Sequence, residues 1–219
     1  MALNVMVLES EYGAADEARD ELVDAGHVVL QCHEHGQPTF PCRGIVDAAA
    51  CPLNSHVVDV ALTVRSRVRS QPAPSEDGVR CALMAHVPLV VAGPSALDPY
   101  DGFETRALDR TYDVVETCEA ASAAELSAYA SRAEFVLADS LGVDRARSAR
   151  VSVTRRAGGL RVRVAGLDDA TRQELRTAVV RIVGALRQLD RAARTIDVVI
   201  IDSVETARLD HAELVTPST

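Results

Sequence analysis

Along the first 142 residues the apolar positions fall into short solid runs separated by stretches of helical spacing. A parallel sheet buried on both faces and connected by helices is written this way. Asn4 to Leu8 reads as a strand; Ala15, Ala18 and Leu22 then recur on one helical face until Gly26 stops it, and Val28 to Gln31 is the next strand. The runs Val57 to Val64 and Pro88 to Ala92 continue the rhythm, with a helix from about Glu76 to Ala85 entered through Ser75 between them. A short helix near Glu104 to Leu108 and a strand from Tyr112 to Glu116 follow. Ser122 and Glu125 form a capping box for a helix that Gly142 ends.

Beyond Gly142 the period and the connections change. Val151 to Thr154 and Leu160 to Ala165 flank Gly158 and Gly159, the signature of an antiparallel hairpin. Leu175, Val179, Ile182, Leu186 and Leu189 keep an alternating four-and-three spacing, which lays an apolar seam along one long helix, and Ile196 to Ile201 is a last strand. The seam covers a small sheet or pairs two copies of the chain. The fold class expected is α/β: a parallel sheet covered by helices, followed by a smaller α+β unit of ββαβ order. Its boundaries are a domain over 1–142, a linker over 143–150, a small domain over 151–205 and a tail over 206–219.

Charge supports the division. Residues 1–142 hold 9 Arg against 22 acids, or -13, whereas residues 143–219 hold 14 Arg against 10 acids, or +4. All 23 basic residues are arginine, which fits GC-rich coding of a high-GC bacterium and excludes a Schiff-base or P-loop lysine. The start MALNVMVLESEYG lacks the basic and apolar regions of a signal peptide, and no run approaches a membrane span, so a cytoplasmic location without membrane partners is expected.

The opening NVMVLESEYGAADEARDELVDAGHVV, with VVDVALTV, DGVRCAL and HVPLVVAG further along, resembles a response-regulator receiver domain over about residues 4–142. The resemblance implies a doubly wound, flavodoxin-like five-stranded parallel sheet in the order 2-1-3-4-5, with its working edge at the carboxyl ends of the strands. It also implies an acid pair for magnesium, a phosphoacceptor aspartate, a hydroxyl residue and a lysine. Carried over by position, these fall on Glu9 and Ser10, Val64, Gly93 and Thr117. The acceptor, the hydroxyl and the lysine are thus missing together, and a receiver-like scaffold without phosphorelay is expected, working through protein contacts. The strand-strand-helix-strand unit of the second part is loosely similar to the alkaline-shock protein family, on pattern alone.

Between the second and third strands lies QCHEHGQPTFPCRGIVDAAACPLNSH, far longer than an ordinary crossing and carrying three of the five cysteines. Cys32, Cys42 and Cys51, with His33 or His35 as a fourth ligand, suit zinc or an iron-sulfur cluster, and His56 could join them. Two other readings stand beside that one: thiols packed under the loop with solvated histidines, and a Cys42 to Cys51 disulfide. Cys118, placed after strand five, would lie four strand spacings from Cys32, roughly 19 Å at about 4.8 Å each, too far to share a metal. Cys81 reads as a buried apolar residue, and His27 and His86, each before a buried strand, read as structural.

Seven arginines against one acid between Asp144 and Arg163 form the remaining constellation, in which Arg155, Arg156, Arg161 and Arg163 could bind phosphates or an acidic partner. With aromatics at 3% of the chain and none interleaved there, nucleic-acid binding is disfavoured against a solvated face or docking on acidic surface. Glu9, Glu11 and Asp59 could gather a cation, although Asp59 begins its strand. No nucleophile elbow, Gly-x-Gly-x-x-Gly or zinc-protease helix is present. The function expected is a non-enzymatic regulatory or scaffolding protein with a protein partner and a homodimer as candidate assemblies. The alternative is a metal-dependent or flavodoxin-like enzyme using Glu9 and the loop histidines at the same sheet edge.

Overall fold

The computed structural model describes residues 2–33, 42–94, 96–108 and 113–201. The expected tail over 206–219 lies outside the described residues, as does His35. The chain divides into two compact units, Met1–Glu125 and Leu126–Thr219, so the boundary falls seventeen positions before the expected one at Gly142.

In the first unit β1 (Asn4–Glu9), α1 (Asp16–Asp24) and β2 (Val28–Gln31) lead into two four-residue helices, α2 (Arg43–Val46) and α3 (Pro52–Ser55). Then come β3 (Val60–Val64), α4 (Asp77–Met84), β4 (Leu89–Ala92) and β5 (Arg106–Leu108). Four strands form an all-parallel sheet in the order β2-β1-β3-β4, and the three-residue β5 pairs alongside β4 in the same sense. Strand alternation separates two cores. Val5 and Val7 face Ala18 and Leu22 of α1, while Met6 and Leu8 face Val79 and Ala82 of α4. Every residue of β3 and β4 is buried, which is why these strands read as nearly continuous apolar runs, broken only by Thr63.

The expected strand from Tyr112 to Glu116 is a correction. α5 (Val114–Leu141) is already helical there, and the strand is Arg106–Leu108, where a short helix was expected. Val114 and Val115 look strand-like in isolation because they are β-branched. Val114, Cys118 and Ala121 are, however, all fully buried in the core with α1, at helical spacing, and that packing decides the matter. Ser122 consequently lies inside the helix, 4% exposed, and caps nothing.

The second unit contains the later part of α5, α6 (Val143–Ser148), β6 (Arg150–Arg156), β7 (Gly159–Ala165), α7 (Arg172–Leu189) and β8 (Thr195–Ile201). α6 replaces the expected linker. The separate three-stranded sheet is mixed: β6 is antiparallel to β7, and β8 is parallel to it. Gly158 turns the hairpin at φ 71, a conformation costly for other residues. Leu160, Val162 and Val164 pack beneath Ala178, Ile182, Ala185 and Leu186 of α7, and Tyr129, Ala133 and Leu137 of α5 join the same core. Leu189, expected on the seam, is 45% exposed: a straight helix drifts off a seven-residue repeat, and the buried stripe uses two alanines instead. Among the described residues no helix is long and apolar enough to cross a membrane.

Candidate functional site

The carboxyl ends of β1, β3 and β4 lie side by side, with Glu9 opposite Val64 and Val64 opposite Ala92. Immediately past β3 stands Arg65, 2% exposed. Its Nε lies 3.3 Å from Oε1 of Glu76, both side chains completely buried, and its Nη1 lies 3.5 Å from Oδ1 of Asp98. Neither nitrogen finds hydrogen-bond geometry, whereas Nη2 donates to the Arg69 carbonyl at 3.2 Å and the guanidinium lies 5.9 Å from the Tyr100 ring centre. Glu76 is held from two other sides: Thr63 Oγ1 donates to it at 2.9 Å, and the Ala73 amide donates at 2.8 Å. Burial, reinforced by the Glu76 charge, pushes the Tyr100 phenol above its ordinary value.

The other acids of this edge also carry arginine partners. Glu9, 5% exposed, lies 3.4 Å from Arg19 and accepts the Ala15 amide at 3.3 Å. Glu11 accepts from Arg69 Nε and Ser66 Oγ, both at 2.7 Å, and from Ser10. Burial opposes ionisation of Glu11, but these three donors and the Arg69 charge outweigh it and hold its carboxyl at about 2. Asp59 stands at the opposite end of the sheet, accepting the Asn4 amide at 2.8 Å, so it does not join Glu9 and Glu11.

Positions that the receiver resemblance singles out sit as follows. Val64 is buried at 1% in the core with α1 and α5. Gly93 has φ 123, and a Cβ there would stand 2.0 Å from the Arg65 carbonyl oxygen, so a serine or threonine does not fit the site. Thr117 belongs to α5 rather than to a strand end, which withdraws it as the counterpart of the lysine.

On the sheet face that α4 covers, the thiols take another arrangement than the expected one. Cys32 Sγ lies 3.5 Å from Met6 Sδ and rests against Gly78 of α4, where a Cβ would come within 2.9 Å of it. Cys81, one turn further along α4, is exposed and not the buried apolar residue expected. Cys51 covers Gly44, whose added Cβ would meet Cys51 Cβ at 2.8 Å, and Cys42 immediately precedes α2. Burial first, then negative charge on Cys51, Cys42 and Cys81, pushes the Cys32 thiol up to about 12. Burial and the charges of Cys42 and Cys51 raise Cys81 likewise.

Burial lowers the pKa of His33, with the Glu9 and Arg19 charges acting on it next. His56 shares a 2.8 Å hydrogen bond with its neighbour Ser55 and is exposed. Cys118 is fully buried beside α1, on the opposite face of the sheet from Cys32, and burial pushes its thiol up to about 12. As they stand, no three His, Cys, Asp or Glu side chains among the described residues are grouped to hold a metal ion.

The expected arginine group divides. Leu160, Val162 and Val164 of β7 face the core, which leaves Arg161 and Arg163 on the open face of the sheet. The register puts Arg156 opposite Gly159 on that same face, whereas Arg155, opposite Leu160, is on the helix-covered side. Arg161 Nε donates to Asp197 of β8 at 2.9 Å, which neutralises one of the cations.

Arg65, Glu76 and Asp98 at the carboxyl edge carried no motif; the usable signal was an arginine directly after the buried run Val60–Val64. No protein-family model matches this sequence, and no curated protein matches it.

Proposed function

We propose that the chain is a non-enzymatic regulatory or scaffolding protein whose first unit is a doubly wound, flavodoxin-like receiver scaffold that does not accept a phosphoryl group. The carrying observation is the fully buried pair of Arg65 and Glu76 at the carboxyl edge of β3. Phosphoryl transfer to this edge would need an ionised carboxylate open to water and a free acid pair for magnesium. Here a guanidinium sits beside Val64, and Glu9, Glu11, Glu76 and Asp98 are each within ion-pair distance of Arg19, Arg69 or Arg65. An edge tied in this way suits a module that holds one conformation and works by contact. The open face of β6-β7-β8, with Arg156, Arg161 and Arg163, is the surface this reading assigns to an acidic protein partner.

Acetyl phosphate with magnesium tests the proposal. The intact mass is expected to stay unchanged, and a hydroxylamine-labile phosphoryl adduct mapped to the first unit would overturn it.

A further inference from the structure

Among the described residues the sheet of the second unit has two edge strands, β6 and β8, because β7 lies between them. An edge strand leaves part of its backbone N–H and C=O groups without a strand partner, and proteins guard such edges with charge, proline or bulges. β6 is guarded: Arg150, Arg155 and Arg156 fall within its seven residues, so an identical strand beside it meets like charge. β8 is not. Thr195–Ile201 reads TIDVVII, holds no proline, and pairs with β7 over all seven residues without a bulge. Its one charged side chain, Asp197, already accepts from Arg161 of the same chain at 2.9 Å.

Burial marks the same margin independently. Leu160, Val162 and Val164 of β7 are at most 1% exposed, whereas Ile196, Val198 and Ile200, which pack on the same core from β8, are only half-buried. Val179 and Val183 of α7 are half-buried too, and helical spacing sets them on the flank opposite Arg181, Gly184 and Gln188, which line a groove against α5. The apolar core of the second unit runs out to the β8 edge without a cover among the described residues.

The residue pattern of β8 selects what covers it. Directly opposed residues of an antiparallel pair share a face, so a second β8 must bring core-side residues to core-side residues. An axis at Asp197 sets that residue against its own copy, like charges directly opposite. An axis at Val199, or further from the middle, pairs five residues of the strand or fewer. An axis at Val198 pairs all seven: Ile196 meets Ile200, Val198 meets Val198, and Asp197 meets Val199, with no like charges opposed. We infer that two copies of the chain join β8 to β8 about a two-fold axis at Val198, forming one six-stranded sheet in which each copy closes the apolar margin of the other. The axis stands perpendicular to the sheet, so α7 of both copies covers one face, and Arg156, Arg161 and Arg163 stay on the open one. This inference does not rest on the phosphoryl-transfer reading, which concerns the first unit, and it leaves the arginine face free for an acidic partner.

Light scattering on the full chain across a dilution series tests the assembly, with twice the 23.4 kDa of one chain expected at the highest concentrations. Hydrogen exchange needs no substitution: amides of Thr195–Ile201 are expected to exchange more slowly in the two-chain species than after dilution to single chains, while those of β6 keep their rate. Val198→Cys, oxidised with diamide, is expected to form a disulfide between the two copies of position 198, mapped by mass spectrometry of the linked peptides. Thr195→Cys is the control, because position 195 lies opposite Ile201 and not opposite its own copy. A single-chain mass at every concentration, as when another part of the chain covers β8, or a mass growing beyond two chains would overturn the inference. So would a two-chain species with unchanged β8 exchange, or one that links through position 195 and not through position 198.

Discussion

Arg65 and Glu76 meet with Nε and Oε1 3.3 Å apart and neither side chain exposed at all. A buried ion pair contributes little net stability against an apolar replacement, because desolvation of both charges offsets their attraction. Removing one partner is different. Arg65→Met leaves Glu76 and Asp98 without their cation and is expected to cost about 3–5 kcal/mol. Urea unfolding should show Arg65→Met with Glu76→Gln to be far less destabilised than the two single variants summed, because the pair acts as a unit.

Glu11 links protonation to stability at the same edge. Its carboxyl is depressed from 4.5 to about 2, so its contribution is complete above pH 4.5 and is lost as pH falls toward 2. A stability profile of the wild type is expected to fall more steeply through that window than the profile of Glu11→Gln. Coincident profiles would show that Ser66 and Arg69 do not hold the ionised form.

Gly93 is the position at which the resemblance calls for a hydroxyl. Because φ is 123 and the Arg65 carbonyl oxygen would lie 2.0 Å from a Cβ, Gly93→Ser combines strain with a backbone clash. Strain alone costs about 1–3 kcal/mol, and the clash adds to it. Thermal unfolding that leaves Gly93→Ser as stable as the wild type would contradict this backbone geometry.

In the second unit the buried stripe of α7 makes a paired prediction. Ile182→Ala, at a fully buried position, is expected to cost about 2–5 kcal/mol, while Val180→Ala, 71% exposed, should stay within about 0.5 kcal/mol of the wild type. Equal losses at the two positions would show that Val180 is covered in solution.

Much of this architecture was legible because local pattern and burial agree. The solid runs of β1, β3 and β4 and the Gly158 turn each follow from one period or one residue type. Where two periods were available, only packing chose. Val114 and Val115 suit a strand by propensity, and the core beside α1 makes them helix; Arg106–Leu108 has no strand pattern and becomes one by pairing with β4. The sequence alone placed Val64 and Arg65, and no aspartate, at the end of the third apolar run. Tertiary structure decided what fills the place: Glu76 and Asp98 reach Arg65 from separate segments, and Cys32 comes to rest against Gly78 because α4 packs against β1. Charge pairs and ligand sets depend on distances through space, and spacing along a chain encodes those only within a single element.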